Sequence, residues 1–142
     1  MIFMAWDSEK NIEKLKALLE GGNGLLAYHH DSDGICSAAI MLKFFPKFRP
    51  MPLEGPRLDS SIVKEMLSGK PSVILFLDLP VDQEPEKLEQ LKRHSKIAVI
   101  DHHIAERDLS RKGMIHMNPK LDKDIYLPTS YMVYKIMEKL GK

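Results

Sequence analysis

The sequence holds 142 residues, 44% hydrophobic and 29% charged, with 21 Lys and Arg against 20 Asp and Glu for a formal net charge of +1 at pH 7. A chain of this size fits one domain, residues 1–142, that buries roughly two thirds of the surface its unfolded form would expose, and its near-neutral balance excludes recognition of a polyanion by global field alone, leaving only a local basic groove. The single cysteine, Cys36, excludes an internal disulfide, and the apolar runs at 73–77 and 97–100 are far too short to span a membrane, so a soluble, cytoplasmic protein is expected.

The N-terminal stretch Met1-Ile2-Phe3-Met4-Ala5-Trp6 lacks the basic start and long apolar segment of a signal peptide. Ile12, Leu15, Leu18 and Leu19 then recur at helical spacing behind a Ser8 or Asp7 cap, with Gly21-Gly22 as the stop, which predicts an amphipathic first helix. Leu25-Leu26-Ala27-Tyr28 is short and continuously apolar and reads as a buried strand. A polar turn follows, His29-His30-Asp31-Ser32-Asp33-Gly34, and a helix is expected right after Gly34, on the stripe Ile35, Ala38, Ala39, Leu42 and Phe45, ending before Pro46.

Four of the nine prolines fall between Pro46 and Pro56 and leave room for only an edge strand around Phe48 to Leu53. Ser60 or Ser61 is placed to cap a short helix through Met66 and Leu67, closed by Gly69. Val73-Ile74-Leu75-Phe76-Leu77 is a second buried strand, and it ends in Asp78. Pro85, Leu88 and Leu91 give a helix running to about Arg93, and the acidic run from Asp82 to Glu89 reads as its solvated start. Ile97-Ala98-Val99-Ile100 is a third buried strand, ending in Asp101-His102-His103. Met114 to Met117 is a further short strand, and Thr129 is positioned to cap a last helix carrying Tyr131, Val133, Tyr134, Ile136, Met137 and Leu140.

Strands that are apolar on both faces and alternate with helices specify an α/β fold, a three-layer open and mainly parallel sheet with helices on both faces. In such sheets ligands bind outside the carboxyl ends of the strands, near the point where strand order reverses. The three polar clusters all sit at those ends. No repeat or low-complexity segment divides the chain.

Asp31, Asp33, Asp78 and His102 form a hard-oxygen donor set with some imidazole, which suits Mn²⁺ or Mg²⁺ better than zinc. Two such ions bridged by a carboxylate such as Asp78 would serve in-line attack on phosphorus, so phosphoester hydrolysis is the reaction class. Each residue taken singly has a plainer reading. A lone acid after a strand is commonly a turn or cap residue, Asp31 and Asp33 can cap the following helix, and paired histidines are more often surface or core residues than ligands. What points to a site is coincidence: four of the six histidines fall in two clusters, each at a strand end beside acids. His94 and His116 lack that company and read as structural, and Cys36 reads as a small buried hydrophobe.

The order and strand context of His29-His30-Asp31-Ser32-Asp33-Gly34-Ile35 with Ser37-Ala38, then Asp78, then Asp101-His102-His103, resembles the DHH phosphoesterase superfamily over residues 24 to 138. The first motif is written as in its archaeal RecJ-like branch. The superfamily includes single-strand exonucleases, nano-RNases, cyclic dinucleotide phosphodiesterases and manganese pyrophosphatases. The resemblance implies a Rossmann-like domain in which Asp31, Asp33, Asp78 and His102 hold two Mn²⁺ or Mg²⁺ ions, Asp78 as the bridge. It puts His29 at another ligand or near-ligand position, His103 beside the scissile phosphate, and Asp101 behind the histidines as their orienter. His30 receives no role, and Pro128-Thr129-Ser130 matches the turn and helix start that follow the triplet in many members.

Members usually carry a fourth acidic motif one strand beyond that helix, then a second domain with a glycine-rich, histidine-containing segment that grips substrate. This sequence reaches Lys142 before either, and so resembles a first domain without its last strand, with one metal position under-coordinated and substrate affinity weakened. The expected partner is a phosphate-ester substrate, single-stranded nucleic acid or an oligonucleotide, and the open sheet edge invites pairing with a second copy as a homodimer. Two other readings from different classes are a non-catalytic scaffold, since one degenerate member serves the replicative helicase as a structural subunit, and a nucleotide-binding module that holds ligand without turnover. Degenerate members usually lose the acids, which this chain keeps.

Overall fold

The computed structural model describes residues 5–123 and 125–142; Met1 to Met4, part of the N-terminal stretch read above for a leader, lie outside the described residues. Among the described residues five α-helices and five strands follow in chain order: α1 (Glu9–Leu19), β1 (Gly24–His29), α2 (Ser32–Phe44), β2 (Arg49–Leu53), α3 (Ser60–Ser68), β3 (Val73–Leu77), α4 (Pro85–Lys92), β4 (Lys96–Ile100), β5 (Ile115–Met117) and α5 (Thr129–Lys139). The strands form one sheet in the order β2-β1-β3-β4-β5, every pairing parallel. The chain runs outward from β1 to β2 and then crosses back to β3 on the other side of β1. The strand order therefore reverses between β1 and β3, and the crevice it leaves opens at their carboxyl ends.

Alternation along the strands sends side chains to two cores. Leu26, Leu75, Leu77, Ala98 and Ile100 pack against α1, α2 and α5 on one face. Leu25, Ala27, Ile74, Phe76, Ile97 and Val99 pack against α3 and α4 on the other. Both faces being covered explains the unbroken apolar runs of β3 and β4. The proline-rich β2 lies at the sheet edge, where Pro50 and Pro52 forfeit no ladder donor that a second neighbour would need. No described helix is long and apolar enough to cross a membrane.

Several local expectations are corrected. Helix α2 begins at Ser32, not after Gly34, because the Asp31 carboxylate accepts from the Gly34 N–H at 2.9 Å and draws the first turn forward. Its buried face is Gly34, Ser37, Ala38 and Met41, rotated from the expected stripe, so Ile35 and Ala39 face outward and Cys36 is exposed, not buried. Asp59, not Ser60 or Ser61, caps α3 through the Ile62 N–H. Thr129 is the first residue of α5 and not its cap: the first two N–H groups of that helix are received by Asp33, 96 and 97 residues away in sequence. The acidic run before α4 is also not uniformly solvated, since Asp82 is fully buried.

Candidate metal centre

The site is built on the carboxyl ends of β1, β3 and β4. β1 ends in His29, and the chain then turns directly into α2. Gly34 makes that turn possible: a Cβ there would lie 1.8 Å from the His29 carbonyl oxygen, so no other residue lets the helix approach the strand so closely. β3 is followed at once by Asp78, whose φ of 61° puts it in the left-handed region, a strained conformation for a residue with a side chain. Its backbone N–H is anchored to the Ile100 carbonyl of β4 at 3.0 Å, and the carboxylate is turned into the crevice with the residue 1% exposed. β4 is followed by Asp101, whose N–H binds the Met117 carbonyl of β5, and then by His102 and His103.

These ends bring together every site residue expected from the sequence. Donor atoms of His29, Asp31 and Asp78 all lie within 4.8 Å of one another, and so do donor atoms of Asp78, Asp101, His102 and His103. Asp78 is common to both groups. His102 Nε2 stands 3.0 Å from Asp78 Oδ1 and 3.5 Å from Asp33 Oδ2. His29 Nδ1 stands 2.9 Å from Asp31 Oδ2 and 3.7 Å from Asp78 Oδ2. His103 Nδ1 bonds Asp101 Oδ1 at 2.7 Å. His30 is exposed, and its ring stands nearly perpendicular to that of His29.

The electrostatics are those of an anionic pocket short of positive charge. Burial pushes the Asp78 carboxyl above the usual range; the hydrogen bond to His102 opposes this, while Asp33 and Asp31 add repulsion. Asp31 sits below the usual range: burial raises it, but the Gly34 N–H, a hydrogen bond shared with Asp78 and the His29 ring together outweigh that. Both histidines of the triplet are raised, His102 chiefly by its bond to Asp78 and His103 chiefly by its bond to Asp101. The protein thus gathers protons where its carboxylates crowd, which is what a cation would replace.

The tautomer of His29 tests that fit. Its Nε2 lies 3.0 Å from the Glu54 carbonyl, which can only accept, so Nε2 carries the hydrogen. In the neutral ring Nδ1 then turns a lone pair on the carboxylates of Asp31 and Asp78, an arrangement that a divalent cation resolves. With carboxylates outnumbering the imidazoles that face them, the donor chemistry fits Mn²⁺ or Mg²⁺. Asp33 differs from the other acids: its oxygens accept from Thr129 N at 3.0 Å and Ser130 N at 2.8 Å, so it also ties α5 to the site.

Several contributors were not legible from motifs. The Thr129 hydroxyl donates to Asp78 Oδ1 at 3.3 Å, the buried Asn118 amide donates to the His103 carbonyl at 2.8 Å, and the Tyr126 ring lies 5.3 Å from that of His102. Thr129 falls within the segment singled out beyond the triplet; Asn118 and Tyr126 carry no local signal. His94 and His116 stay outside the site, and His116 is held in the core with Nδ1 accepting from the Leu109 N–H.

The family model described as DHH family, N-terminal domain, matches residues 25–142. No curated protein matches the sequence. Solved structures share the fold, among them the following three. An exonuclease RecJ bound to manganese superposes with a TM-score of 0.70 at 17% identity, over 99% of this chain and 39% of that one. A RecJ in complex with Mn²⁺ from Thermus thermophilus gives 0.67 at 19% identity, over 93% of this chain and 21% of that one. CDC45 from Entamoeba histolytica gives 0.68 at 20% identity, over 94% of this chain and 30% of that one. The chain therefore spans well under half the length of these relatives.

Proposed function

The chain belongs to the DHH family as an N-terminal domain, and from that premise we propose that it is a single metal-dependent phosphoesterase domain that hydrolyses phosphodiester or phosphomonoester bonds, with single-stranded nucleic acid or short oligonucleotides as substrate. The observation that carries this reading is the pair of donor groups that meet at Asp78 in the crevice where strand order reverses. Asp31, Asp33, Asp78 and His102 are the residues that would hold Mn²⁺ or Mg²⁺, two ions in the complete site, with Asp78 shared. When bound, these cations neutralise phosphoryl charge and supply the Lewis acidity that hydrolysis at neutral pH needs.

The remaining residues act on protons and orientation. Asp101 holds His103 through Nδ1 and favours its protonated form, so that Nε2 is free to donate to the leaving oxygen. The Asn118 amide fixes the His103 backbone beside it. His29, anchored by the Glu54 carbonyl, would offer Nδ1 as a further donor beside Asp31 and Asp78.

Two measurements test this. At a concentration 100 times its Kd, Mn²⁺ should stabilise the wild type by about 2.7 kcal/mol, a rise in Tm of about 5–10 °C. Nucleotide release from a short single-stranded oligonucleotide should require Mn²⁺ or Mg²⁺ and vanish in the double variant Asp78→Ala, His102→Ala. Full activity in that variant would overturn the mechanism. The fold likeness to CDC45 supports a second reading, a non-catalytic scaffold or nucleotide-binding module in a replication or repair complex. That reading expects no Mn²⁺-dependent stabilisation and no turnover, and the retained acids weigh against it.

A further inference from the structure

Tyr126 lies in the segment leading into α5, two residues before Pro128. Its ring centroid is 5.3 Å from that of His102, with the planes at 57°. The residue is nonetheless 68% exposed, and its neighbour Ile125 and the residue after the triplet, Ile104, are 44% and 76% exposed. None of the three belongs to either hydrophobic core. A large aromatic ring left in water, contributing nothing to the core and resting on an imidazole of the metal centre, is a surface kept for a ligand's flat apolar face.

Charge points the same way. Four carboxylates, those of Asp31, Asp33, Asp78 and Asp101, converge beside Tyr126's neighbour His102 or within one residue's reach of it, and the whole chain carries only +1. Phosphate contacts by Lys and Arg are one source of affinity for a nucleic acid. The other sequence-tolerant source is base stacking on aromatic side chains.

We propose that Tyr126 is a base-stacking platform: the nucleobase next to the scissile phosphate lies on the exposed face of its ring and so sets the phosphate over the donors of Asp78 and His102. This rests on the phosphoesterase reading and narrows it to substrates that carry a base at the cleavage point. Inorganic pyrophosphate and abasic phosphodiesters lack the group the platform holds.

The test uses the 142-residue chain with Mn²⁺, a single-stranded hexanucleotide, the same hexamer with abasic sugars, and phosphorothioate versions of both for equilibrium binding by fluorescence anisotropy. Tyr126→Ala should raise both KM and Kd for the intact hexamer about tenfold, the scale of one lost stacking contact. Tyr126→Phe should restore both values, Tyr126→Leu should restore them only in part, and the abasic hexamer should discriminate far less between wild type and Tyr126→Ala. Thermal melts show whether each variant is folded; should Tyr126→Ala not fold, the Phe and Leu variants carry the comparison. Wild-type KM and Kd in Tyr126→Ala, an equal penalty on both hexamers, or a fall in kcat with KM unchanged would each overturn the platform while leaving the phosphoesterase reading in place. A wild type that neither binds nor cleaves either hexamer with Mn²⁺ would overturn both.

Discussion

Asp78 and Asp82 follow the same strand, separated only by Leu79, Pro80 and Val81, and both are buried, at 1% and 0% exposure. Their surroundings are opposite. Asp82 Oδ2 accepts from the backbone N–H groups of Glu106 and Arg107, at 2.6 and 3.2 Å, and the Arg107 guanidinium donates to the Asp82 backbone carbonyl, so this residue pins the loop after β4 with donors the fold already owns. Asp78 faces Asp31 and Asp33 as well as His29 and His102, and its backbone sits in the left-handed region to do so. Burial of an acid is therefore no signature of a site. What distinguishes Asp78 is that its neighbours include further acids, a crowding that only protons or a cation relieve.

Exchanging each acid for alanine separates the two roles most widely. Asp78→Ala should lower phosphodiester cleavage by about three orders of magnitude, because on the proposed mechanism several kcal/mol of transition-state charge stabilisation would depend on a cation held there. Without metal the same variant should be at least as stable as wild type, since a buried, repelled carboxylate is gone. Asp82→Ala should instead cost about 2–3 kcal/mol of stability by leaving two backbone donors without their acceptor. Urea denaturation beside an activity assay reads both; equal stability losses in the two variants would erase the distinction.

A smaller effect lies in the pH dependence, where the two regions carry opposite signs. Burial lowers the His116 pKa below 6.5, so the unfolded chain takes up that proton more readily. Its contribution to stability is complete above pH 6.5 and falls as pH drops toward the folded value, by at most about 1.4 kcal/mol per pH unit. His102 and His103 are raised from 6.5, so what they contribute is complete below 6.5 and is lost as pH rises through their folded values. His116→Asn, which can keep an acceptor for the Leu109 N–H, should flatten the wild-type decline between pH 6.5 and 5 while leaving the slope above 6.5. Denaturation curves across pH 5–8 check this, and an unchanged acid slope would refute it.

The smallest effect is expected on the outer face of α2. Cys36→Ser should change stability by no more than about 0.5 kcal/mol, and the native thiol should react with a maleimide at the rate of an exposed cysteine. Slow labelling would return Cys36 to the buried position its sequence context suggested.

Much of the fold was legible because its signals are local. β3 and β4 announce themselves as apolar runs that only a sheet covered on both faces can bury, and Pro50 and Pro52 confine β2 to an edge. The polar clusters were legible as well, since a strand end is where the pattern breaks. Two departures came where a neighbour distant in sequence took over a local role. Thr129 looks like a cap, yet Asp33 supplies the acceptors for α5 from nearly a hundred residues away. Asp82 looks like part of a solvated helix start, yet a loop from beyond β4 folds onto it.

From the sequence alone came the α/β class, the parallel sheet and the positions of His29, Asp31, Asp33, Asp78, Asp101, His102 and His103 at strand ends, because hydrophobic period and chain punctuation act over a few residues. Only the tertiary structure decided that β1 and β3 lie side by side, that Asp78 therefore joins two donor groups, and that Tyr126 comes to rest against His102. Those outcomes depend on strand order and on contacts between residues far apart in the chain, which periodicity does not encode.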